Sequence, residues 1–84
     1  MADLQYGDRF YEMMLGSTEN GWFVELIDTT GIPEGILSAF RADADRSITF
    51  AGKFKDLPFE IVEAFIQRVR SELVGEFVAR PSDE

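Results

Sequence analysis

The sequence predicts an α+β fold, a four-stranded antiparallel β-meander with one C-terminal α-helix packed on one face. Two observations predict it. Up to Phe54, short runs rich in aromatic and β-branched residues alternate with clusters of Gly, Ser, Thr, Asn, Asp and Pro, the pattern of strands and turns. After Pro58 the apolar residues instead recur at every fourth position, the spacing of one helix face. At 84 residues the chain fits a single domain, 1–84, which buries only roughly 60–65 % of its unfolded surface and therefore needs a nearly continuous core.

The first expected strand, Asp8–Leu15, alternates Tyr11, Met13 and Leu15 against Phe10, Glu12 and Met14; its Met and Leu content also tolerates a short helix. Gly16 to Gly21 reads as a turn, leading into a second strand, Trp22–Asp28, with Trp22, Val24 and Leu26 against Phe23, Glu25 and Ile27. Thr29 to Gly35 is the next turn, and the third strand, Ile36–Ala42, sets Ile36, Phe40 and Ala42 against Leu37, Ala39 and Arg41. Asp43 to Arg46 turns the chain into the fourth strand, Ser47–Phe54, whose Ile48, Phe50 and Phe54 face the helix. None of these connections is long enough for a crossover helix, so successive strands pair antiparallel.

Lys55 to Pro58 opens the helix, with Asp56 as the expected N-cap and Pro58 in the first turn. Glu60 and Glu63 sit where the helix dipole is positive. The buried stripe is Ile61, Phe65, Val69 and Leu73, widened by Val62, Ile66 and Phe77, and the helix ends at Gly75 or runs on until Pro81 stops it. Residues 1–7 and 80–84 read as flexible ends.

Composition narrows function further. The chain holds no histidine and no cysteine, which removes the commonest general base, the commonest nucleophilic thiol and the two preferred zinc ligands. Asp43-Ala44-Asp45 is followed by Arg46 and Ser47 rather than the further acids of a calcium loop. The segment Gly31-Ile32-Pro33-Glu34-Gly35 joins two strands, so no helix dipole stands behind its amides as in a phosphate loop. Ser38, Ser47 and Lys53 form no serine–lysine motif. The expectation is a protein that is not an enzyme and uses no metal or cofactor. No apolar run approaches the ~18–20 residues that span a bilayer, and the first residues lack the basic and apolar regions of a leader. A cytoplasmic location is expected, and the absence of cysteine fits a reducing compartment.

Sixteen acids face eight bases, and they are unevenly placed. Between residues 1 and 40 there are seven acids and one base, Arg9, a net of −6; from Arg41 onward nine acids meet seven bases, a net of −2. The acidic first half repels nucleic-acid phosphates and anionic membranes and attracts basic partners, including proteins whose basic grooves hold nucleic acid.

Neither side of the first two strands is properly polar, and one helix covers one face of a sheet. Phe10, Met14, Phe23, Ile27 and Leu37, or their opposite set, are then left beside Glu12, Glu25 and Arg41 as an apolar patch ringed by charge. The expected partner-binding residues are Phe10, Glu12, Met14, Phe23, Glu25, Ile27, Asp28 and Leu37. They point to a small acidic protein-binding module that blocks a basic partner surface, an inhibitor of the immunity, antitoxin or phage anti-defence kind acting in part by mimicking nucleic-acid charge. The alternative is a self-associating structural or assembly protein, a homodimer through the sheet. Glu19-Asn20-Gly21-Trp22-Phe23-Val24-Glu25-Leu26-Ile27-Asp28, followed by Gly31, resembles the acidic hairpin of HicB-type antitoxins. That likeness covers about a dozen residues, and because a further hairpin here precedes the helix, neither fold nor function is carried over from it.

Overall fold

Short turns leave consecutive strands no arrangement but side by side. The protein, represented by a computed structural model that describes residues 3–53 and 56–74, is one antiparallel sheet in the order β1-β2-β3-β4-β5 with a C-terminal helix. The strands are β1 (Asp3–Tyr6), β2 (Arg9–Thr18), β3 (Gly21–Asp28), β4 (Glu34–Ala42) and β5 (Ile48–Gly52); the helix α1 (Phe59–Val69) runs into a π-helical turn, Arg70–Val74. The α+β architecture is as expected, but the sheet has five strands rather than four.

The additional strand lies in the segment expected to be a flexible end. Leu4 pairs with Tyr11 and Tyr6 with Arg9 across a two-residue connection, where Gly7 adopts φ 62°. A glycine at the first central position of a hairpin turn supplies the twist that flanking strands require. The next segment is strand and not helix, and it continues to Thr18, so the expected six-residue turn contracts to Glu19-Asn20. The Thr18 hydroxyl accepts the Asn20 amide hydrogen bond at 3.1 Å and closes that turn.

The helix lies across one face of the sheet. Ile61, Phe65, Val69 and Leu73 pack with Tyr11, Val24, Leu26, Leu37 and Ala39 into a single core. Phe65 is fully buried and meets Phe50 of β5 edge to face, with ring centroids 6.4 Å apart at 65°, an aromatic pair of the favoured geometry. A strict four-residue repeat drifts around an α-helix of about 3.6 residues per turn, and the wider π-turn brings Leu73 back onto the buried stripe.

Asp56 is not the N-cap. It has φ 44°, and the cap position belongs to Pro58, whose extended backbone (φ −61°, ψ 141°) makes no side-chain capping bond. The Pro58 carbonyl instead receives the Ile61 and Val62 amides at 3.0 and 3.1 Å, while Arg9 Nη2 donates to the Asp56 carbonyl at 3.0 Å. Arg9 thereby ties the chain before the helix to the start of β2. Phe54, Gly75, Phe77 and the expected flexible end 80–84 lie outside the described residues. No described helix is long and apolar enough to cross a membrane.

Two substitutions test this core. Phe65→Ala is expected to cost about 3–5 kcal/mol in urea unfolding, a large share of the stability of a domain this small; a midpoint close to the parent's would remove Phe65 from the core. The Tyr11 hydroxyl is buried without a hydrogen-bond partner, and the Arg9 guanidinium stacks over its ring at 5.8 Å. Burial pushes the phenol above its ordinary pKa of 10.0; the Arg9 charge pulls it down and the Asp28 charge raises it. Because the folded phenol holds its proton more tightly than the unfolded one, the contribution is intact below pH 10 and is lost as the pH rises beyond it. Tyr11→Phe should keep neutral-pH stability within about 1 kcal/mol and flatten the decline above pH 10. A pH–stability curve unchanged by the substitution would remove Tyr11 as its source.

Candidate functional site

Pairing between strands, not alternation within one, decides which side chains share a face. Glu12 pairs with Ile27, Met14 with Glu25 and Gly16 with Phe23 between β2 and β3; Phe23 pairs with Phe40 and Glu25 with Ser38 between β3 and β4. These residues and Phe10 form the face turned away from the helix. Phe10 and Met14 remain 45 % and 44 % exposed, while Phe23, Ile27 and Phe40 are half-buried. At the β2 and β3 positions of this face stand Glu12 and Glu25 and no Lys or Arg.

Close packing against glycine holds the rings flat. A β-carbon at Gly16 would sit 2.5 Å from Cζ of Phe23, and one at Gly21 would sit 2.8 Å from Cζ of Phe40. Each ring therefore occupies space that a larger cross-strand neighbour would take and covers part of the sheet's outer face. The Glu25 side chain likewise lies over Gly35. There the β3–β4 register shifts between Leu26 and Ile27, and a hollow of about 130 Å³ opens beside Glu25, Gly35, Ser38 and Ala51.

Of the expected partner-binding residues, six share this face: Phe10, Glu12, Met14, Phe23, Glu25 and Ile27. Two do not. Leu37 pairs with Leu26, is 4 % exposed and belongs to the core under the helix. From Leu37 onward the strand alternates as expected, but Ile36, expected on the side of Phe40, is buried with Leu37 in the core where the register shifts, and the phase relative to β3 is opposite to the one expected, so Phe40 takes the outer face in place of Leu37. Asp28 pairs with Tyr11 at the end of β3, and its Oδ1 accepts the Thr30 amide at 2.9 Å. The Thr30 hydroxyl in turn accepts the Phe10 amide at 2.8 Å, so Asp28 closes the turn after β3. Phe40 is the residue that sequence alone missed, and its signal is the aromatic pair it makes with Phe23 across the ladder.

The bases of β4 and of the segment after β5 divide between core and surface. Arg41 is 5 % exposed; its Nη1 donates to the Leu73 carbonyl at 3.4 Å and its Nη2 lies 3.7 Å from the Asp43 carboxylate. A cation under the last helical carbonyls is favoured by their partial negative charge. Lys53 is on the surface and bonds Glu34 at 2.6 Å, and on the helix Arg68 bonds Glu72 at 3.1 Å. Asp45, in the turn before β5, accepts the Ser47 amide at 3.0 Å and the Ser47 hydroxyl at 2.8 Å, bonds that hold its carboxyl below the usual range. These contacts are those of an Asx turn.

Core and outer face should separate in mutagenesis. Leu37→Ala is expected to lower unfolding stability by about 2–5 kcal/mol, whereas Phe10→Ser and Met14→Ser should each stay within about 0.5 kcal/mol; equal losses in thermal melts would mean that the two faces are not distinct. No protein-family model, no curated protein and no solved structure matches this chain.

Proposed function

We propose that this protein is a binding module and not an enzyme, and that it occupies a basic surface of another protein with the outer face of β2, β3 and β4. The observation that carries the reading is the composition of that face: exposed Phe10 and Met14 and half-buried Phe23, Ile27 and Phe40 lie among Glu12 and Glu25 with no base at the β2 and β3 positions. Apolar side chains supply contact area, and the carboxylates give sign selectivity and speed encounter with a cation. The hollow beside Glu25 suits the end of one lysine or arginine side chain, the kind of anchored charge that dominates interface energetics. The action is steric and electrostatic blockade, that of an inhibitor of the immunity, antitoxin or phage anti-defence kind, in a cytoplasmic setting.

The test starts with capture of partners from source lysate, followed by association kinetics with the captured basic protein. Association should slow by about tenfold or more between low salt and about 0.5 M, as the screening length falls well below 10 Å. Glu12→Gln with Glu25→Gln should lower the on-rate more than Glu60→Gln with Glu63→Gln on the helix. If both pairs act alike, or salt strengthens binding, the acidity of the sheet serves solubility and the reading fails.

A further inference from the structure

The open meander ends in two edge strands, and they differ. β1 is four residues long and begins on an aspartate. β5, Ile48–Gly52, contains no charge and no proline, two of the usual devices that stop an edge from pairing. Its ladder determines which backbone groups are free for pairing. The Ala42 amide donates to the Ser47 carbonyl and the Lys53 amide to the Ile36 carbonyl. In an antiparallel ladder such bonded positions alternate, so Ser47, Thr49, Ala51 and Lys53 direct their amides and carbonyls at β4, and Ile48, Phe50 and Gly52 direct theirs outward.

We infer that β5 pairs antiparallel with β5 of a second copy about a two-fold axis at Phe50. That register uses every outward residue: Phe50 bonds the second copy's Phe50, and Ile48 bonds its Gly52. The axis stands perpendicular to the sheet, so both helices lie on the same side of one continuous sheet. Phe50, 51 % exposed, then meets its own counterpart beside an apolar cleft of about 270 Å³ lined by Leu37, Phe50, Val62, Phe65 and Ile66. The paired segments themselves, Ile48–Gly52, set no like charges opposite each other. The flanking Lys53 is paired with Glu34. The joint is smaller than a standard interface, and its affinity is accordingly weak, with Kd on the order of tens of micromolar. It does not depend on the outer-face reading, which rests on side chains of β2, β3 and β4 rather than on the backbone of β5.

Sedimentation from about 1 µM to 1 mM, a range spanning that Kd, together with amide hydrogen exchange at both ends, tests it. The expected result is a monomer–dimer equilibrium in which the Ile48, Phe50 and Gly52 amides gain protection with concentration, while Thr49 and Ala51 are protected throughout. Phe50→Lys should raise Kd by about tenfold or more. Thr49→Lys with Ala51→Lys leaves the core untouched, sets lysines directly opposite each other across the axis, and should do the same. A monomer at 1 mM overturns the proposal, as does a dimer whose β5 amides exchange freely. Protection of the outward amides in dilute monomer overturns it too, because the edge is then covered by the chain itself.

Discussion

Among the described residues, eleven of α-helix and one π-turn lie on a sheet of five strands, and the limited reach of that helical surface governs the packing of the rest. A sheet has two faces, and an amphipathic helix buries one stripe. Everything the helix reaches, from Tyr11 through Val24 and Leu26 to Leu37 and Ala39, becomes core. On the other face the described residues pack locally, ring against glycine. Phe23 lies against Gly16 and Phe40 against Gly21, which removes part of each ring from water while leaving Phe10 and Met14 in contact with it.

The same limit explains the placement of charge. Among the described residues Arg41 is the buried cation, and it lies under the Leu73 carbonyl beside Asp43, polar partners of the kind a buried charge requires. Glu34 meets Lys53, while on the outer face Glu12 and Glu25 stand among apolar side chains. An apolar patch alone invites indiscriminate association, and carboxylates within it favour cationic contacts over anionic ones. The proposed binding role and the proposed edge pairing then draw on separate resources, side chains in one case and backbone groups in the other. Pairing at β5 would place two outer faces in one continuous surface, and a partner with repeated basic sites would be held more tightly by two faces than by one.

Much of this was legible in the sequence. The four-residue repeat of Ile61, Phe65, Val69 and Leu73 identified the helix and its buried stripe, and the Gly- and Asp-rich punctuation located the turns between strands. Strand alternation placed Phe10, Glu12 and Met14 opposite Tyr11 and Met13 within β2, because side chains alternate about a pleated backbone whatever lies beside them. Composition alone removed histidine and cysteine chemistry.

Tertiary structure decided what a single strand cannot encode. Whether Leu37 or Phe40 faces the helix depends on the phase of β4 against β3, and that phase follows from cross-strand pairing of Leu26 with Leu37 and Phe23 with Phe40. Asp3–Tyr6 is a strand only because Gly7 turns it back onto β2, and four residues gain order from a ladder they cannot form alone. Asp56 looked like a cap by type, yet its left-handed backbone and the Arg9 contact assign it to the link before the helix. Local spacing determined the helix and the alternation within most strands, because both follow from backbone periodicity, and contacts between residues far apart in the chain decided which face became core.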